Sequence, residues 1–117
     1  MSVYVLFEVT IKEGMSEAYL ERAGSLKDEL SKTPGVIRTE RFKSLATEGK
    51  LLSLSVWESE EAVEAWRNQM NHRMSQAAGR DSIFEGYDIT VLEPTRRYSM
   101  DARNEAPADS NAYFGLA

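Results

Sequence analysis

The spacing of apolar residues along the chain switches between a period of two and a period of 3.6, and the order of these switches restricts the fold. Residues 3–11 alternate, which predicts a strand with one apolar face. That face carries Val3, Val5, Phe7, Val9 and Ile11. Residues 15–32 have helical spacing with one apolar stripe, and Thr33-Pro34-Gly35 ends this predicted helix because proline cannot continue it.

The second part of the chain repeats the pattern with one additional strand. Alternation predicts strands over residues 36–45 and 51–57, joined by a hairpin loop. Ser59 is a predicted N-cap, followed by two glutamates in the first turn, where the helix dipole favours acidic groups. The last predicted strand covers residues 83–92, before Pro94.

The order strand, helix, strand, strand, helix, strand predicts an α+β fold of the ferredoxin-like type. Its antiparallel sheet carries both helices on one face. The opposite face then holds Tyr4, Leu6 and Leu92, and a partly apolar face of this size requires cover. We therefore expect a homodimer, since two-fold dimers are the commonest closed oligomers.

Composition narrows the classes of partner and compartment. The 117 residues carry a net charge of −5, which disfavours nucleic acid and anionic membrane surfaces as partners. The absence of cysteine excludes disulfides and thiolate sites. The first residues lack the basic region and cleavage site of a signal peptide, and no apolar run is long enough to span a membrane. We expect a cytoplasmic protein.

The sequence divides into a domain over residues 1–94 and a tail over residues 95–117. The tail is polar and typical of a loop up to about Asn111, then becomes apolar. We expect Tyr113, Phe114 and Leu116 to dock on the body of the domain or on the partner subunit.

Residues 52–98 contain motifs that resemble a known family. They read LSLSVWESEEAVEAWRNQMNHRMSQAAGRDSIFEGYDITVLEPTRRY. The segment VWESEEA followed by Trp66, with FEVTIKEG and TPGV upstream, is similar to the antibiotic biosynthesis monooxygenase (ABM) family over residues 3–98. The resemblance implies a dimeric α+β barrel with a pocket between sheet and helices in each subunit. Members include cofactor-independent oxygenases of aromatic polyketides and quinols, haem-degrading enzymes and isomerase-like proteins.

The haem-degrading branch of that family has a specific set of three site residues. It uses an asparagine on the first strand, a tryptophan on the second helix and a histidine ten residues later. Trp66 matches the tryptophan, but Phe7 corresponds to the asparagine and Gln76 to the histidine. We therefore expect no cofactor, and haem degradation stays as a disfavoured alternative.

His72 and Arg80 are the candidate catalytic residues. His72 is the only histidine, and near a pocket it is a candidate general base for a phenol or quinol hydroxyl. The alternative is a histidine on the surface of a helix. Arg80 is a candidate partner for an anionic ligand oxygen; the alternative is a structural cation near a helix C-terminus.

Four apolar and aromatic residues are candidates for binding the substrate: Trp66, Phe7, Met70 and Tyr87. Aromatic side chains can form the wall of a pocket for a flat ligand, and methionine adapts to irregular apolar shapes. Core packing is the alternative for each of them. The sequence has no metal-binding motif, nucleotide-binding loop or nucleophile elbow.

The residues and the resemblance together predict a cofactor-independent monooxygenase of a small aromatic or quinol-type substrate. A non-catalytic dimer that binds a small hydrophobic molecule, of the stress-associated kind, is the alternative. An isomerase would need the same base but no oxygen.

Overall fold

The computed structural model describes residues 2–76 and 83–116, with backbone only at residues 25, 26 and 70–76. The elements follow the predicted order up to residue 92, and a short helix is added in the tail. They are β1 Val3–Ile11, α1 Ser16–Ser31, β2 Val36–Lys43, β3 Lys50–Trp57, α2 Glu60–Gln76, β4 Phe84–Leu92 and α3 Ala108–Tyr113. The chain is an α+β protein, as predicted.

The ends of the elements follow from local side-chain hydrogen bonds. Ser59 Oγ accepts a hydrogen bond from the backbone N–H of Ala62 at 3.3 Å, which confirms the predicted N-cap of α2. The predicted second strand was two residues too long. Ser44 Oγ accepts from the N–H groups of Ala46 and Thr47 at 3.2 and 3.0 Å, and this turn ends β2 at Lys43.

The turn between α1 and β2 lies close to the start of α2. Gly35 has a φ of 91°, a conformation that glycine adopts readily and other residues rarely do. A Cβ atom at this position would lie 2.5 Å from the Cβ of Ala62. Both the backbone conformation and the available space therefore require glycine here.

The four strands form one antiparallel sheet in the order β2-β3-β1-β4. Directly paired residues of antiparallel strands share a face. Tyr4 pairs with Val56 on one side and Leu92 on the other, and Leu6 pairs with Leu54. Tyr4, Leu6 and Leu92 therefore lie on one face, as predicted, and this face is opposite the helices.

The helix-facing side of the sheet carries two separate core clusters. The first contains Val3, Trp57, Val63 and Trp66. The second contains Val9, Ile11, Tyr19 and Ile83. Val5 packs against the first cluster and Phe7 against the second. The middle of β1 therefore contacts both clusters.

Residues 95–116, called the C-terminal arm below, have an internal structure centred on Arg103. Its Nε donates to Asn111 Oδ1 at 3.0 Å, its Nη2 to Ser110 Oγ at 2.8 Å and its Nη1 to the carbonyl of Ser99 at 3.2 Å. The guanidinium carbon also lies 5.1 Å from the ring centroid of Tyr98 and 5.9 Å from that of Phe114.

The molecule is more extended than a compact domain of similar length. The radius of gyration is 17.2 Å, against about 13 Å for a compact domain of about 100 residues. Within the single chain Tyr113, Phe114 and Leu116 stay 84%, 65% and 43% exposed. Their docking on a partner subunit remains a prediction. Among the described residues, no helix is long and apolar enough to cross a membrane.

Candidate functional site

Polar side chains lie on the helix-facing side of the sheet, between the two core clusters. Thr39 pairs with Ser55, which pairs with Val5. One register step away, Arg41 pairs with Ser53, which pairs with Phe7. We call Thr39, Arg41, Ser53 and Ser55 the polar band. Its threonine and serines are half-buried and its arginine is exposed, so the band is accessible from solvent.

Aromatic side chains line the surface next to the polar band. The ring of Phe7 lies 6.2 Å from Phe84 and 5.4 Å from Tyr87, and Tyr19 lies 5.9 Å from Phe84. Phe84 and Tyr87 are themselves 6.1 Å apart. These centroid distances are within the range of favourable ring contacts. We call these four rings the aromatic wall; Tyr19 belongs to the second core cluster, and Phe7, Phe84 and Tyr87 pack against it.

Tyr19 brings a hydroxyl from α1 to this wall. The side chain is 6% exposed, and burial raises the pKa of its phenol above the usual 10.0, while the charge of Arg41 acts in the opposite direction. The hydroxyl makes no hydrogen bond to the described residues. Tyr19 therefore stays protonated at neutral pH and keeps its O–H as a potential hydrogen-bond donor.

Trp66 belongs to the other cluster. It is 9% exposed and its ring lies 6.3 Å from that of Trp57. Trp57 is fully buried, and its Nε1 donates to Ser55 Oγ at 2.8 Å. Ser55 thus connects the polar band to the tryptophan pair. Trp66 contributes to the core beside the band rather than to the aromatic wall.

The structure brings some of the residues predicted from the sequence together and separates others. Phe7 and Tyr87 are in contact, and Trp66 lies in the opposite cluster. His72 lies on α2, about 9 Å of helix rise beyond Trp66, but its side chain and that of Met70 are outside the described part. Arg80 is outside the described residues altogether.

Tyr19, Arg41, Ser53 and Ser55 are absent from the sequence-based site. A signal was present, because Ser53 and Ser55 interrupt an otherwise apolar strand. Taken alone, the alternation of β3 would assign the wrong face of the strand to the helices. Leu52, Leu54 and Val56 form the more apolar side of β3, yet they face away from the helices.

A depression lies at the hairpin end of the sheet, lined in part from the face opposite the helices. Its volume is about 250 Å³, and Lys50 Nζ lies 3.7 Å from Glu8 Oε1 within it. The remaining lining residues are Phe42, Lys43, Ser44, Leu51 and Leu52. This ion pair joins two of the three charged residues of the depression, and Lys43 is the third. Among the described residues, no cluster of three or more potential metal ligands occurs.

Comparisons with known proteins agree on one family. A family model described as antibiotic biosynthesis monooxygenase matches residues 2–78. A jasmonate monooxygenase of Pyricularia oryzae is 38% identical over 91 residues, which span 78% of this chain but only 42% of that protein. The chain therefore covers less than half of this relative.

Solved structures show the same fold. Rv0793 of Mycobacterium tuberculosis superposes with a TM-score of 0.72 at 17% identity, covering 85% of this chain and 100% of that one. SnoaB of Streptomyces nogalater, described as a cofactor-independent oxygenase, gives a TM-score of 0.69 at 11% identity, with coverages of 82% and 95%. At these identities the likeness concerns the fold.

Proposed function

The chain belongs to the antibiotic biosynthesis monooxygenase family, and on that premise we propose that it oxidises a small aromatic or quinol-type substrate without a bound cofactor. The observation that carries the proposal is the buried, protonated Tyr19 of the aromatic wall, which is close enough to Arg41 of the polar band for the arginine charge to act on its pKa. The wall suits a flat substrate, and the hydroxyl can stabilise an oxygen that becomes negative. The description of SnoaB as a cofactor-independent oxygenase adds support.

In the proposed reaction, the substrate itself supplies the electrons that reduce O₂. In an anthrone-type aromatic substrate, a ring carbon bearing two hydrogens loses one as a proton to the base, and the resulting anion is delocalised onto the oxygen of the same ring system. Oxygen adds to this carbon to give a peroxide anion, which takes the proton back from the base to become a hydroperoxide, and loss of water then leaves a carbonyl. One atom of O₂ thus enters the product and the other leaves as water. No external reductant is required.

The residues have separate roles in this scheme. Tyr19 donates a hydrogen bond to the substrate oxygen that carries the delocalised charge, which lowers the barrier where the charge develops. His72 is the proposed base that takes the first proton. Arg80 is the proposed second donor to the anion. The roles of His72 and Arg80 rest on the sequence.

Haem degradation does not fit the described residues. Where the haem-degrading branch carries an asparagine, Phe7 packs its ring against Phe84 and Tyr87 and offers no hydrogen-bonding group. A haem titration tests this directly. A saturable shift of the haem absorption band, with loss of the band after reductant is added in air, would replace the present proposal.

We also propose that the protein is a homodimer formed through the face opposite the helices. That face holds Tyr4, Leu6, Leu52 and Leu92, all half-buried or exposed, and burying them against an identical face removes apolar area from water. The exposed Tyr113 and Phe114 of each arm would then pack on the partner. Light scattering after size exclusion gives the mass, and a monomer at micromolar concentration would contradict this.

Oxygen incorporation tests the catalytic proposal. Chelator-treated protein is incubated with 1,8-dihydroxyanthrone under ¹⁸O₂, and product is measured by mass spectrometry against the rate of spontaneous oxidation. We expect one labelled atom per product and a rate about a hundredfold lower for Tyr19→Phe, the usual order for loss of one such donor. Tyr113→Phe makes the same chemical change in the exposed arm and should leave the rate unchanged.

Two outcomes would count against the proposal. No acceleration across a panel of anthrones and naphthols, combined with saturable binding of the same compounds, would favour a non-catalytic binding protein. An equal rate for Tyr19→Phe and wild type would show that Tyr19 does not stabilise the anion.

A further inference from the structure

Arg41 is a cation of the site with no structural partner among the described residues. It lies on the exposed edge strand β2, on the side that faces the helices. It makes no hydrogen bond or ion pair with the part of the chain that the structure describes. Arg38, on the same strand but on the opposite face, pairs with Glu40 at 3.5 Å.

Within residues 2–76 and 83–116, the side chains described next to Arg41 do not neutralise its charge. Its direct neighbour across the strand pair is Ser53, which is uncharged. Tyr19 of α1 is protonated at neutral pH and carries no charge. Glu40, the adjacent acid on β2, belongs to the other face and to Arg38. The positive charge is therefore available to a ligand.

The register places Arg41 at the end of a row that crosses the whole sheet. Arg41 pairs with Ser53, Ser53 with Phe7, and Phe7 with Ile89. Polarity falls steadily along the row, from a cation through a hydroxyl and an aromatic ring to an aliphatic side chain. Ile89 remains 47% exposed, so the apolar end of the row is also open. Three strand spacings span about 14 Å.

We propose that this row binds an amphipathic carboxylate, with the carboxylate at Arg41 and Ser53 and the hydrophobic part over Phe7 and Ile89. A guanidinium can grip a planar carboxylate through two parallel hydrogen bonds. The row accommodates a molecule of up to about 14 Å from its acidic to its apolar end. This inference rests on the proposed function in one respect: it assumes that the substrate binds at the same site.

Binding measured by calorimetry tests the inference without requiring turnover. The probes are 1-naphthaleneacetate and 1-naphthaleneacetamide, which have nearly the same shape but differ in charge. We expect wild-type protein to bind the acid at least about tenfold more tightly than the amide, the usual scale of a charge-assisted hydrogen bond. Arg41→Gln should remove this preference, and Arg41→Lys should retain part of it.

Arg38→Gln is the matched control. It removes the same charge from the same strand, but on the opposite face, so the preference for the acid should be unchanged. Light scattering on each variant verifies that the assembly is intact. Raising the salt concentration should weaken binding of the acid and leave binding of the amide unaffected.

The possible results separate this inference from the proposed function. Equal binding of acid and amide by wild type, or a preference that survives in Arg41→Gln, would overturn the inference, as would failure of both probes to bind. Oxidation of the anthrone would still support the proposed function in that case. An Arg41-dependent preference for the acid without any oxygen incorporation would support the inference and leave the catalytic proposal without support.

Discussion

Arg103 in the C-terminal arm and Arg41 in the polar band both lie near aromatic side chains, but they differ in how many protein groups they engage. Arg103 donates three hydrogen bonds and lies over two rings. Arg41 engages none of the described residues through a hydrogen bond or ion pair. An arginine whose donors are used within the protein holds a segment together. One whose donors remain unused, beside an aromatic wall, can hold a ligand.

The two serines of the polar band also differ in whether they bond to other protein groups. Ser55 accepts a hydrogen bond from the indole of Trp57, so its oxygen contributes to the core. Ser53, two residues away on the same face, has no such bond to the described residues. The band thus combines groups that maintain the fold with groups that are available to a substrate.

The largest effect is expected for Arg103→Ala. Loss of three hydrogen bonds and two ring contacts should lower the local stability of the arm by about 2 kcal/mol. Backbone amides that close the end of the arm, such as Leu116 N–H to Asn111 O at 2.8 Å, should exchange with deuterium roughly 30-fold faster. Hydrogen exchange with mass spectrometry measures this, and the unfolding midpoint of the body should not change.

Arg97→Ala is the control for the arm. Its backbone N–H donates to Glu105 Oε2 at 3.0 Å, and that bond survives the substitution. Exchange in the arm should therefore resemble wild type. Equal protection in Arg103→Ala and Arg97→Ala would show that Arg103 does not organise the arm.

The next effect concerns the two serines. Ser55→Ala leaves the buried indole N–H of Trp57 without its acceptor, which should lower the free energy of unfolding by about 1 kcal/mol. Ser53→Ala should change it by less than about 0.5 kcal/mol. Urea denaturation followed by tryptophan fluorescence measures both variants. Similar losses for the two serines would contradict the division of roles in the band.

Arg41→Gln should have little effect on stability. Because the guanidinium makes no hydrogen bond or ion pair with the described residues, its removal should change the free energy of unfolding by less than about 0.5 kcal/mol. The urea midpoint measures this alongside the ligand preference. A loss above about 1 kcal/mol would identify Arg41 as a structural residue and weaken the case for a ligand.

The sequence predicted the elements of the body well because their signals are local. Alternation in β1 and the Ser59 cap of α2 both depend on neighbouring residues. The face of β3 could not be assigned in the same way, since Leu52 and Leu54 look like core residues until the pairing with β1 places them opposite the helices. The polar band was therefore missed.

The arm and the site show two further limits of the sequence. The contacts of Arg103 join residues four to eleven positions apart without any period, so no pattern predicts them. In the sequence, Tyr19 is one residue of the helix predicted over residues 15–32, and its relation to Arg41 arises only when that helix packs onto the sheet. Phe7 and Tyr87 could be proposed from the sequence because aromatic residues on strands are conspicuous; the structure places their rings in contact, and their role in binding a substrate stays a prediction.

The smallest effect, a pH dependence, tests whether Arg41 acts on the site through its charge. Burial raises the pKa of Tyr19, and Arg41 opposes that shift. Between pH 10 and the native pKa, the unfolded chain loses this proton first, so Tyr19 makes the free energy of unfolding fall as pH rises. Arg41→Gln removes the opposing charge, so Tyr19 should titrate at still higher pH, and Arg103→Ala should not move it.

Alkaline titration followed by phenolate absorbance, with the Tyr19→Phe curve subtracted, isolates this one group. A Tyr19 curve that is the same in Arg41→Gln and wild type would show that the guanidinium does not face the site.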